Sequence, residues 1–120
     1  MALNIVVSPL VRFKVEGKFT AEDGADAPFD FHLTLDRLAD DMAIKALQDD
    51  IKDLGAKGSE TPLTDAILKR AHAWQGPKGP EGQDVPFSAE ALRGVLNMSG
   101  MAMLVYMTYL RETGAKAKNS

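Results

Sequence analysis

Apolar residues alternate with polar ones in two stretches near the start of the chain. In the first, Val11, Phe13, Val15 and Phe19 are apolar, while Arg12, Lys14, Glu16, Lys18 and Thr20 are polar. In the second, Phe29, Phe31, Leu33 and Leu35 alternate with Asp30, His32 and Thr34. Period two describes a strand with one dry and one wet face. The segment between them, residues 21 to 28, is polar and contains Gly24 and Pro28, so the two strands form an antiparallel hairpin. A lone hairpin is marginal in water, and its phenylalanine-rich face needs a cover. Residues 3 to 7 (LNIVV) are a candidate third strand, with Pro9 marking its end.

Beyond Asp36 the period becomes helical. Leu38, Met42, Leu47, Ile51 and Leu54 recur at helical spacing. Asp36, Asp40 and Asp41 crowd the first turns, where the helix dipole favours anions. Gly55 stands where a glycine stop belongs. These signals predict a helix over 36–54. Thr61-Pro62 reads as N-cap and first helical position, and the apolar positions Leu63, Ala66, Ile67 and Ala71 carry that second helix to Ala73-Trp74. A glycine- and proline-rich connector follows, 75 to 86, containing GPKGPEGQD. Its three triplets are far too few for a collagen helix, so it reads as a link between helical units. Ser88 caps a final helical region running to about Glu112, with a break predicted at Asn97 to Gly100. The order of elements describes an α+β fold: an N-terminal antiparallel hairpin, with a candidate third strand, followed by three to four α-helices. Residues 1 to 113 form one domain, and the basic segment from Gly114 is expected to be disordered.

Composition narrows the function. The chain has 120 residues, 45% hydrophobic and 26% charged, as in an ordinary globular domain. A net charge of -3 gives no basic surface for nucleic acid, and the absence of cysteine removes thiol chemistry. The N-terminus lacks the basic region and cleavage site of a signal peptide. The most apolar window, Val95 to Leu110, is shorter than a membrane span and interrupted by Asn97, Ser99, Gly100 and Thr108. His32 and His72 have no ligand-spaced partner, so no metal is expected. Asp49, Asp50 and Asp53 read as a solvated helix face beside Lys45 and Lys52. No serine sits in a nucleophile elbow, and the glycines of the connector are not a phosphate loop. No catalytic constellation and no cofactor site emerges, and the expected role is binding, not catalysis. The best binding element is the last helix, apolar on two stripes. An all-round apolar helix reads either as the central core helix, buried on both stripes, or as one that gives a stripe to a partner, for which adaptable methionine is suited.

The second half has a cadence of its own. Trp74-Gln75-Gly76 is followed by the connector, then Pro86-Phe87-Ser88-Ala89-Glu90-Ala91-Leu92, then a helix closing with Tyr106 and Tyr109-Leu110. This resembles the tail assembly chaperones of long-tailed bacteriophages and prophages, loosely in the hairpin and more closely from Trp74 onward. The resemblance implies a protein that binds the tape measure protein, recruits the major tail protein and is capable of self-association. It implies action in the host bacterial cytoplasm and absence from the mature virion. It marks Trp74, Gly76, Pro86, Phe87, Ser88 and Leu92 as structural, and Met103, Tyr106, Met107 and Tyr109 as partner-binding. Such chaperones often have a longer product made by a -1 frameshift, and Ala117-Lys118-Asn119 can be encoded GCA AAA AAC, a slippery sequence. The alternative expectation is a small phage structural or head–tail adaptor protein that stays in the virion.

Overall fold

The computed structural model describes residues 7 to 115. Strand β1 (Leu10–Thr20) and strand β2 (Asp26–Asp36) form the hairpin, in a register running from Leu10 opposite Asp36 to Thr20 opposite Asp26. The alternation read from the sequence is therefore the real dry face. Val11, Phe13, Val15, Phe31, Leu33 and Leu35 are all buried on it. At Gly17 a Cβ would lie 2.9 Å from the Phe29 ring, so the absent side chain lets the opposite phenylalanine fold over the strand.

Among the described residues the third strand is one the sequence reading did not offer. The candidate at residues 3 to 7 lies, apart from Val7, outside the described residues, and Val7 is not in a strand. Strand β3 is instead Ala71–Gln75, antiparallel to β2 with Leu33 opposite Trp74 and an irregularity between Thr34 and Leu35. The predicted continuation of the second helix to Ala73-Trp74 is thus corrected. Alanine favours helix, but β2 offers an unpaired edge and Trp74 a large apolar ring, and pairing outweighs a weak local preference.

Helix α1 spans Asp41–Ala56, not 36–54. Asp36 stays in β2. Residues 37 to 40 cross over, held by Arg37 N donating to Pro9 O at 2.8 Å and Leu38 N donating to Thr113 Oγ1 at 2.9 Å. The Asp40 carboxylate accepts from Ala43 N at 2.8 Å and starts the helix. The stop is Gly58, not Gly55. Gly58 has φ +99, its N–H reaches Gly55 O, and Ser59 N reaches Leu54 O, the paired closure of a Schellman motif.

Helix α2 spans Pro62–Arg70, α3 Ala89–Leu96 and α4 Met101–Thr113. Thr61 is the N-cap by position but makes no side-chain cap bond. Ser88 does, accepting from Ala91 N at 3.0 Å. The predicted break is present: Gly100 takes φ +82, and α4 restarts at Met101. The core is the dry face of the sheet covered by Leu38, Leu47, Ala66, Ile67, Leu92, Leu96, Met101, Val105 and Tyr109. Gly114 and Ala115 lie beyond α4, and residues 116 to 120 of the basic C-terminal segment lie outside the described residues.

Polar ties hold the helices in place. Asp65 on α2 accepts from Ser59 Oγ at 2.6 Å and pairs with Arg93 of α3 at 2.7 Å. Asp50 on α1 pairs with Arg70 at 3.0 Å and Lys69 at 3.1 Å. The Arg70 hydrogen bond holds the Asp50 carboxyl below its usual 3.8, and the Ser59 hydroxyl, then Arg93, do the same for Asp65. A carboxyl whose pKa is lowered by folding contributes stability above its unfolded value, and that contribution is lost as pH falls through the lowered one. Unfolding midpoints are therefore expected to drop as pH falls below the ordinary aspartate range. The drop is expected to be shallower in Asp50→Asn and Asp65→Asn, measured by urea titration at each pH.

Candidate partner-binding surface

The Trp74-to-Leu92 segment is built around one indole. β3 delivers Trp74 onto the sheet's dry side, where its Nε1 donates to Val85 O at 2.8 Å. Phe87 meets the indole edge-on, ring centres 5.7 Å apart at 84°. Between these anchors the connector folds back on itself. Gly79 N donates to Gln83 O at 2.8 Å, Val85 N to Pro77 O at 3.1 Å, and Lys78 pairs with Asp84 both through the backbone and through the side chains. The GPKGPEGQD stretch is thus a small closed loop whose two ends the Trp74–Val85 bond holds together. Gly76 opens it with φ +118, and a Cβ there would lie 3.1 Å from Phe31 Cα. Pro86 is exposed on the way to Ser88, the α3 cap. Leu92 is fully buried.

The four residues assigned to partner binding separate. Met103 and Met107 project from α4 at 54% and 55% exposure. Tyr106 is half-buried against the core. Tyr109 is a correction: it has no exposed surface, stacks on Phe13 with ring centres 5.7 Å apart, and donates its hydroxyl to Asp36 O. Helical spacing put Tyr109 beside Val105 on one stripe and Met103 beside Met107 on the other, but only packing decided which stripe was covered. Burial pushes the Tyr109 phenol up to about 12, which keeps it a donor.

A surface residue outside that set is Met98, 46% exposed at the α3–α4 corner. Helical spacing groups it with Val105 and Tyr109, but it lies in the break between α3 and α4, where that spacing does not hold. Two clefts meet there. One, about 390 Å³, lies between the start of α2 and the corner and is lined by Pro62, Leu63, Met98, Ala102 and Met103 among others. Another, about 340 Å³, runs from Met98 and Met101 to Phe19, Phe29 and Phe31 of the hairpin. Both walls are mainly apolar, and methionine borders each.

A larger cleft, about 770 Å³ over α1 and Arg70, is of another kind. Its carboxylates are paired: Asp49 with Lys45 at 2.8 Å, Asp50 with Arg70, and Asp53 with Lys57 at 2.8 Å. It is a solvated ion-pair face. His72 lies 2.6 Å from Asp36, while His32 sits on the wet face opposite Gln75. Among the described residues, no group of three or more histidines and carboxylates is placed to hold a metal ion. Nor is any of their helices long and apolar enough to cross a membrane. No protein-family model, curated protein or solved structure matches the chain.

Proposed function

We propose that this protein is a non-enzymatic tail assembly chaperone of a long-tailed bacteriophage or prophage, which binds the tape measure protein while the tail tube is built. The observation that carries the reading is the row Met98, Met103 and Met107, exposed along one helix and the corner before it, beside apolar clefts. Flexible thioethers over an apolar groove suit a partner that presents many similar amphipathic helical turns instead of one fixed epitope. A long, largely helical tape measure protein is such a partner. The resemblance of Trp74 to Leu92 to these chaperones supplies the rest, and recruitment of the major tail protein belongs to the same reading.

The test is coexpression with a tape measure protein, followed by affinity measurement on the purified pair. The combined variant Met98→Ser, Met103→Ser, Met107→Ser is expected to weaken binding at least about tenfold while leaving the fold intact. Met42→Ser is the control, because Met42 is 80% exposed but lies on α1. Equal loss in both variants, or none in either, would sink the proposed surface. Recovery of the protein in purified virions would favour a resident adaptor instead.

A further inference from the structure

The chain holds six methionines and no cysteine, so its oxidisable sulfur is all thioether. Packing divides the methionines among the described residues sharply. Met101 is 3% exposed and belongs to the core at the start of α4. Met98, Met103 and Met107 project around the α3–α4 corner and along α4 at 46%, 54% and 55%, and Met42 stands apart on α1 at 80%. We propose that the row Met98, Met103 and Met107 is a site of reversible oxidation, where conversion to sulfoxide by a peroxide releases the bound partner. The proposal rests on the tape measure reading and adds its regulation.

In the step, a sulfur lone pair takes one oxygen of hydrogen peroxide. The S–O bond forms as the O–O bond breaks, and the other oxygen leaves as water with both protons. The sulfur loses two electrons and the peroxide gains them. The product is a polar, chiral group in place of a flexible apolar one. Met98 borders both corner clefts and Met103 one of them, so the new S–O dipole sits where a partner's apolar side chains would pack. A polar oxygen buried there without a donor opposes association. The fold is spared, because none of the three exposed methionines belongs to the core and Met101 is shielded. Oxidation therefore acts on the surface and not on the structure. Reversal needs an outside reductant, since the chain has no thiol. A thiol-dependent sulfoxide reductase supplies it, the oxygen going to water and two thiols to a disulfide.

The test is a peroxide titration of the full chain. Peptide mass spectrometry locates the added oxygens, and binding to a tape measure protein is measured at each dose. Met42, Met98, Met103 and Met107 are expected to gain one oxygen each, while Met101 stays a thioether and tryptophan emission is unchanged. Affinity is expected to fall at least about tenfold, and to return after treatment with reductases for both sulfoxide epimers. The variant Met98→Leu, Met103→Leu, Met107→Leu keeps apolar side chains of similar volume and is expected to bind with or without peroxide. Met42→Leu is expected to lose affinity on oxidation as the native chain does. Unchanged affinity of the oxidised native chain would overturn the proposal. So would an equal loss in the triple leucine variant, a loss that the reductases do not restore, or oxidation of Met101 alongside the others. Each of those outcomes leaves the tape measure reading standing. Failure of the unoxidised native chain to bind would remove that reading, and the switch with it.

Discussion

Tyr109→Ala is expected to lower the stability of the fold by about 3–5 kcal/mol, the range for removing a large aromatic from a core. The ring is fully buried and stacked on Phe13, so truncation opens a cavity between α4 and β1 that neighbouring side chains cannot fill. The hydroxyl adds a second effect. It joins α4 to the end of β2 through Asp36 O, at the point where the chain leaves the sheet for α1. Tyr109→Phe keeps the ring and removes only that bond, and is expected to cost about 1–2 kcal/mol. Urea denaturation of both variants measures the difference, read from midpoints at unchanged slope. If the two variants were equally destabilised, the hydroxyl would be the dominant link and the ring's packing secondary. A loss below about 1 kcal/mol in Tyr109→Ala would mean that α4 does not seat on β1 as described.

Gly76→Ala is the second large expected effect, and its sign contrasts with another glycine in the same half of the chain. Gly76 has φ +118, a region that side chains other than hydrogen rarely enter, and the added methyl would press on the backbone of Phe31. Backbone strain of this kind costs about 1–3 kcal/mol, and the contact adds to it because a strand's backbone does not step aside. The loss falls on β3 and on the Trp74–Val85 closure, so quenching or a spectral shift of the single tryptophan reports it directly. Gly94 lies inside α3 with nothing within 4 Å of where its Cβ would be. Gly94→Ala is therefore expected to stabilise the protein by about 0.5–1 kcal/mol. Equal destabilisation by both substitutions would contradict this account of the connector.

The resemblance that begins at Trp74 acquires a physical meaning in this geometry. Trp74, Gly76 and Phe87 belong to the connector and its anchors. They close a loop, and that closure positions Ser88 to start α3 and Leu92 to enter the core. Exposed methionines come one element later, at the corner where α3 ends and α4 begins.

The hairpin, the cap at Ser88, and the break before Met101 were all legible in the sequence. Each depends on residues within a few positions of one another, where period, capping chemistry and backbone freedom act alone. Three decisions were not legible. Residues 71 to 75 are a strand because β2, far away in sequence, offers an edge to pair with. α1 begins at Asp41 because Leu38 is held by Thr113 from the far end of the chain. Tyr109 is core and Met103 and Met107 are surface because α4 sits on β1 with one stripe down, and two apolar stripes on one helix look alike until the sheet chooses between them. Local sequence determined the hairpin, the start of α3 and the break before α4. Long-range pairing and burial decided which edge was filled, which face was hidden and which methionines stayed exposed.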